Sequence, residues 1–185
     1  MIMKQERRVP QRKLDRRFVL FTGAASLLAA PALAQSSRNI ASFVSQDWQD
    51  HFDTLGVASI VADTKSRALH FWTADTYRVF PTSVPMSEEL TKRGYTSIVR
   101  KKVGPDWTPT ASQRERYDWK YIPPGPQNPL GTHAMYLSWP AYIIHGTHDT
   151  RKIGRPSSDG CIGLYNENVA QLFEIAPIGT QVRII

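Results

Sequence analysis

Two short runs, VASIVAD (57–63) and RALHFWTAD (67–75), flank the polar turn Thr64-Lys65-Ser66. Val57, Ser59 and Val61, then Leu69 and Phe71, fall on alternate positions, and this period-two pattern commits the chain to a half-buried β-hairpin rather than a helix. The pattern continues downstream. TYRVFPTSVP reads as strand, with Pro81 and Pro85 marking an edge or a strand end. TSIVRKKV, THAMYLSW, PAYIIHG and the closing QVRII read as further strands, while MSEELTKRG is a helical turn or a loop ending at Gly94. The proline-rich stretch 104–131, GPDWTPTASQRERYDWKYIPPGPQNPLG, breaks the rhythm. Proline has no N–H to give a sheet, so this stretch is loop, or short strand between kinks. Loops of this length inside a domain tend to be functional. One helix is signalled: Asn166 as its cap, Glu167 in its first turn, Val169, Leu172, Phe173 and Ala176 along one face, and Pro177 as its stop. The expected fold class is therefore mainly β, a single-domain β-sandwich or open barrel with one or two short helices.

The N-terminus is not part of that fold. Lys4, Arg7, Arg8, Arg12, Lys13, Arg16 and Arg17 precede the apolar run FVLFTGAASLLAAPALA, which ends in the small-x-small pattern Ala32-Leu33-Ala34. This is the layout of a secretory signal, and Asp15-Arg16-Arg17-Phe18-Val19-Leu20 reads as a twin-arginine export signal. The expected organisation is a signal peptide over 1–34, a lead-in over 35–55 and a folded domain over 56–185. Residues 1–34 hold seven Lys/Arg against two Asp/Glu, so a chain of net charge +7 keeps sixteen against fourteen, about +2, beyond the signal. A near-neutral domain does not support a nucleic-acid partner, which needs a basic patch. An exported chain in the periplasm or cell wall, carrying one cysteine, cannot close its own disulfide, and that thiol invites an explanation.

The thiol is Cys161, in SSDGCIGLYN (157–166). Three readings are open: core filler, metal ligand or nucleophile. A filler cysteine belongs in an apolar element, yet Ser157, Ser158, Asp159 and Gly160 precede this one. Gly160 and Gly163 let backbone N–H groups approach a ligand closely, as an oxyanion hole requires. His145 ends the strand AYIIH, and an imidazole that takes the thiol proton makes cysteine a good nucleophile. His145, His148, Asp159 and Cys161 are also possible zinc ligands, although no second cysteine is present.

The run IIHGTHDTRKIGRPSSDGCIGLYNENVAQLFEIAPIGTQVRII resembles the catalytic end of the L,D-transpeptidases, bacterial peptidoglycan cross-linking enzymes. The matching positions are His145-Gly146-Thr147, Ile153-Gly154, Ser158, Gly160-Cys161-Ile162, and Gly179-Thr180 with Val182. Upstream, VASIVADTKSRALHFW, GPDWTPT and PPGPQNPLGTHAMYLSW resemble other segments of the family, so the resemblance covers roughly residues 56–185. Two positions depart from the pattern: Asp159 stands where the family has histidine, and Gly163 where it has arginine.

The resemblance implies the L,D-transpeptidase catalytic fold and a peptidoglycan stem peptide as substrate. It implies Cys161 as nucleophile and His145 as base, with no metal or organic cofactor. Gly160, Ser158, Gly146 and Thr147 are the expected oxyanion or orienting residues. Arg151, Arg155 and Asp159 are the expected substrate-binding residues. The acceptor is a stem-peptide amine or an envelope protein, and the chain acts as a monomer. Alternatives remain: an L,D-carboxypeptidase, a D-amino acid exchange enzyme, a catalytically idle peptidoglycan-binding module, or a zinc-dependent wall peptidase.

Overall fold

Ten short strands and two helices follow one another in the computed structural model, which describes residues 44–185. The expected signal segment 1–34 and the first part of the lead-in lie outside the described residues. In chain order the elements are β1 (Ser59–Asp63), β2 (Ala68–Trp72), β3 (Tyr77–Pro81), β4 (Val84–Pro85), β5 (Gly94–Val103), α1 (Ala111–Tyr117), β6 (His133–Leu137), β7 (Ile143–His145), β8 (Pro156–Ser158), β9 (Ile162–Gly163), α2 (Asn166–Ile175) and β10 (Gln181–Ile184). Eight strands form one sheet in the order β3-β2-β1-β10-β5-β6-β7-β9, and β4 pairs with β8 in a second, two-stranded sheet. The large sheet curls into a half-barrel, the mainly-β fold with two helices that the strand pattern predicts.

The curl has a local origin in β5. Its first half, Gly94–Ser97, pairs antiparallel with β10, and its second half pairs with β6. The register shifts between Ile98 and Arg100, where an extra residue bends the strand and strengthens its twist. The concave face then closes over Ile60, Leu69, Phe71, Ile98, Met135, Ile144, Ile162 and Val182, with Val169, Leu172 and Ala176 of α2 packed against them. Fully burying each large apolar side chain contributes roughly 1.5–3 kcal/mol. Lys101 locks the far end of α2, donating through Nζ to the Ala176 carbonyl at 2.9 Å and to the Phe173 carbonyl. Its charge thus sits at the negative end of the helix dipole.

Three expectations change. The β1–β2 hairpin is buried on both faces, not half-buried. Ile60 and Phe71 face the main core, whereas Val61 and Trp72 face a second cluster with Phe52. The lead-in supplies that cover: a turn over Trp48–Asp50 lays Trp48, Phe52 and Leu55 on the outer face of the sheet. Asn166 does not cap α2. Tyr165 occupies the cap position, and the Asn166 side-chain oxygen instead accepts the Thr132 N–H at 3.1 Å, tying the helix to the start of β6.

The third change concerns the proline-rich stretch, which holds the helix α1. Thr110 and Gln113 form a reciprocal capping box: the Thr110 hydroxyl accepts the Gln113 N–H at 3.3 Å and the Gln113 Oε1 accepts the Thr110 N–H at 2.9 Å. The T-x-x-Q spacing was a readable signal for it. Around α1 the backbone of Trp107 pairs with Ile122. Asn128, fully buried, donates Nδ2 to the carbonyls of Pro105, Ile122 and Pro123 at 2.9–3.1 Å and accepts the Leu130 N–H at 2.8 Å. In a segment where prolines remove N–H donors, one amide side chain supplies them.

Asn128→Ala leaves those carbonyls without a donor. It is expected to cost about 2–4 kcal/mol and to open the 104–131 segment to proteases, read by thermal unfolding and limited proteolysis. A variant as stable and protease-resistant as the wild type would contradict this account.

Candidate active site

Cys161 is the residue immediately before β9, and β9 runs parallel to β7 with Ile162 opposite Ile144 and Gly163 opposite His145. The two strands carry the thiol and the imidazole to the same edge of the sheet. On its other side β9 meets Ser83, whose N–H and C=O bond the C=O and N–H of Gly163 at 2.8 and 3.2 Å. A Cβ at position 163 would meet the Ser83 hydroxyl, so no larger residue fits there without moving Ser83.

The turn before the thiol is built by Ser158 and Gly160. The Ser158 hydroxyl donates to the Cys161 carbonyl at 2.6 Å and accepts the Gly160 N–H at 3.4 Å. Gly160 has φ +130, a backbone conformation that strains any side chain, although a Cβ there would make only ordinary contact with the Leu90 carbonyl and the Tyr142 ring. No acceptor for the Cys161 N–H itself is found among the described residues. Pairing of β8 with β4 holds this loop from upstream.

His145 is oriented by its neighbour: Nδ1 donates to the Gly146 carbonyl, so Nε2 carries the lone pair. Burial pulls the imidazole down to about 4; the Gly146 carbonyl opposes this and Lys152 adds to it. Burial also pushes the Cys161 thiol up to about 11, opposed by the Ile143 N–H and reinforced by the Asp159 carboxylate. Both groups are therefore neutral at pH 7. In this conformation the thiol donates to the Ala141 carbonyl at 3.6 Å and makes no hydrogen bond to His145.

Two cavities share Cys161 and Asp159 in their walls. The larger, about 690 Å³, is lined by Cys161 and His145 with Trp107, Tyr117, Trp119, Lys120, His148 and Lys152. The smaller, about 530 Å³, is lined by Cys161, Asp159, Arg100, Arg116 and Tyr142. Residues of the 104–131 segment, Trp107 and Gln113 among them, line both and so form the partition between them. Gln113 Nε2 donates to Asp159 Oδ2 at 3.3 Å, while Asp159 Oδ1 is buried with no hydrogen-bond partner among the described residues. An unpartnered buried polar atom costs about 1–3 kcal/mol.

The structure thus brings together Cys161, His145, Ser158, Asp159, Gly160, Gly146 and Thr147. The Thr147 hydroxyl is used locally, accepting the Asp149 N–H at 3.1 Å and so shaping the loop. Arg151 and Arg155 line neither of these two cavities. Arg151 is exposed and grips Asp149 with two hydrogen bonds of 2.8 and 2.9 Å, and Arg155 points to solvent. The cations at the cavities are Lys120, Lys152, Arg100 and Arg116, none of which local sequence pattern singled out. Among the described residues no three His, Cys, Asp or Glu side chains cluster as a metal site would require.

The profile of the L,D-transpeptidase catalytic domain (YkuD) matches residues 58–184. The chain belongs to the L,D-transpeptidase catalytic domain family. A protein of Fuscovulum blasticum, named as an L,D-transpeptidase in the ATP synthase subunits region (ORF 5), is 63% identical over 93% of this chain and 98% of its own. The Escherichia coli protein named L,D-transpeptidase ErfK/SrfK is 36% identical over 68% of this chain and 43% of its own length, so the chain spans less than half of that relative. Among solved structures, an L,D-transpeptidase from Mycobacterium smegmatis superposes with TM-score 0.57 at 17% identity, covering 70% of this chain and 59% of that one. L,D-transpeptidase 3 from Mycobacterium tuberculosis gives 0.58 at 15%, covering 70% and 61%. At such identities the structures speak for the shared L,D-transpeptidase fold.

In this L,D-transpeptidase domain the sign of both titration shifts favours a neutral thiol–imidazole pair over a thiolate–imidazolium pair. The thiolate ultraviolet absorbance, wild type minus Cys161→Ala, is expected to stay flat through neutral pH and to rise only towards pH of about 11. A rise at acidic pH that persists as a plateau through neutrality would show an ion pair instead.

Proposed function

We propose that this chain is a peptidoglycan L,D-transpeptidase that works through a thioester on Cys161. The observation that carries the reading is the shared cavity wall: a lone thiol and an imidazole with a free Nε2, set on adjacent parallel strands. The donor is a tetrapeptide stem ending in a diamino acid and D-Ala. The sulfur attacks the diamino acid carbonyl while His145 Nε2 takes the thiol proton. His145 then gives that proton to the departing D-Ala amine, leaving the thioester. An amine acceptor attacks the thioester, and the acyl group passes to it, as a 3→3 cross-link or as attachment of a protein to the wall.

The neutral resting state suits this sequence of steps. A base near 4 is unprotonated at pH 7, and the proton moves only as the C–S bond forms. The Cys161 N–H is the open donor for the oxyanion, and a well-placed donor of this kind contributes ~3 kcal/mol. The Gly160 N–H has only a long bond to Ser158 to give up. Lys120 and Lys152, rather than Arg151 or Arg155, are the cations that meet stem carboxylates in the larger cavity. Two cavities that share Cys161 in their walls suit a reaction with a donor and an acceptor. The basic and apolar N-terminus supports export to the periplasm or cell wall, and no described helix is long and apolar enough to cross a membrane.

Incubation of the protein with a purified tetrapeptide muropeptide, followed by mass spectrometry, tests the reading. The expected result is loss of D-Ala with a thioester-linked protein species, absent in a folded Cys161→Ala variant. Turnover retained by Cys161→Ala would refute it.

A further inference from the structure

The outer face of the sheet carries two histidines, His51 and His70, that the chemistry at Cys161 does not use. Residues 44–55 cross that face as a strap and are tied to four of its strands. The Gln46 N–H donates to the Tyr77 hydroxyl on β3 at 3.2 Å. The Leu55 carbonyl accepts the Ser59 hydroxyl on β1 at 2.8 Å, and the Thr54 carbonyl accepts Gln181 Nε2 on β10 at 2.8 Å. The His51 carbonyl accepts the Tyr95 hydroxyl on β5 at 3.0 Å. Under the strap, Val61 and Trp72 are buried against Trp48, Phe52 and Leu55. The hold is incomplete, because Gln46 Oε1 is buried with no hydrogen-bond partner among the described residues.

Neither histidine sits where a positive charge is accommodated. His51, on the strap, has its Nδ1 3.3 Å from Arg183 Nη1 of β10. A guanidinium only donates, so this nitrogen keeps its lone pair, and a proton there would set two cations against each other. His70, on the outer face of β2, is 1% exposed and stacks with Trp72 and Tyr77. Its Nδ1 lies 2.8 Å from the Tyr77 hydroxyl. Asp63 is the carboxylate that acts on both imidazoles, and it is already committed. Its Oδ1 accepts the N–H groups of Lys65 and Ser66 at 2.9 and 3.1 Å, and its Oδ2 accepts the Ser66 hydroxyl at 2.7 Å. Burial holds both imidazoles below their ordinary range. Arg183 adds to this at His51 and His51 adds to it at His70, while Asp63 opposes it at both and Asp50 at His51.

We propose that residues 44–55 are a proton-released strap: protonation of His51 and His70 frees it from the sheet in mildly acidic surroundings and uncovers the face formed by Val61 and Trp72. The docked imidazoles bind protons more weakly than free ones. Docking is therefore complete above the free imidazole range, about 6.5. It weakens as pH falls below that range, by up to about ten-fold per pH unit for each histidine, until the docked values are reached. The β7–β9 pair that holds His145 and Cys161 takes no part in these contacts, so the release is local. The inference stands whether or not Cys161 forms a thioester.

Hydrogen exchange of the full chain, read by mass spectrometry at pH 7.5 and 5.5 and corrected for the intrinsic pH dependence of exchange, tests it. Peptides covering 44–55 are expected to lose protection between the two, by up to about ten-fold for each histidine. Peptides covering β5 and β6 are expected to keep theirs. His51→Gln, whose side-chain oxygen still accepts from Arg183, is expected to reduce the loss to that of one histidine. His51→Gln with His70→Phe is expected to abolish it. A wild-type loss smaller than about two-fold over 44–55 overturns the proposal. So does an equal loss over β5 and β6, which marks unfolding of the whole domain, and so does a folded double variant that keeps the wild-type pH dependence. The comparison of segments uses the wild-type chain, so it decides even if a variant fails to fold.

Discussion

The parallel pairing of β9 with β7 is the contact on which the site depends. Two residues of strand, Ile162 and Gly163, are enough to fix the register, because Ile162 is buried in the main core beside Ile144 and Ser83 clamps Gly163 from the other side. A slip of one residue would turn Ile162 out of the core and carry the thiol away from the cavity. The core therefore sets the position of the chemistry. Packing energy from Ile144, Ile162, Leu164 and the apolar face of α2 holds a short edge strand that backbone bonding alone would leave frayed.

The electrostatics follow from the same placement. A thiol and an imidazole sunk into a cavity wall both lose the solvent that would stabilise their charges, so one rises and the other falls. The Asp159 charge pushes the thiol in the same direction as burial. The Gly146 carbonyl fixes the tautomer without any second carboxylate or histidine. The result is a thiol that rests protonated and donates to the Ala141 carbonyl.

The 104–131 segment carries most of what is particular to this chain. It partitions the space over Cys161 into two cavities, supplies Trp107, Tyr117 and Trp119 to one and Arg116 to the other, and puts Gln113 against Asp159. Its composition announced a long irregular segment, and its T-x-x-Q pattern would have shown α1. Nothing local showed that Asn128 would organise the turn from within, because its partners lie up to twenty-three residues away. The same holds for Asn166, which looks like a helix cap in one dimension and is a cross-link to β6 in three.

The sequence by itself determined the strand-rich class and the helix stopped by Pro177, because these depend on residue type and short-range period. Only the tertiary structure decided which cations line the two cavities. Arg151 and Arg155, close to Cys161 in the chain, turn away to solvent, while Arg100 from β5 and Lys120 and Arg116 from the long segment arrive from as far as sixty-one positions away. Charge works through space, and the distance that counts for it is set by the curl of the sheet rather than by the order of residues along it.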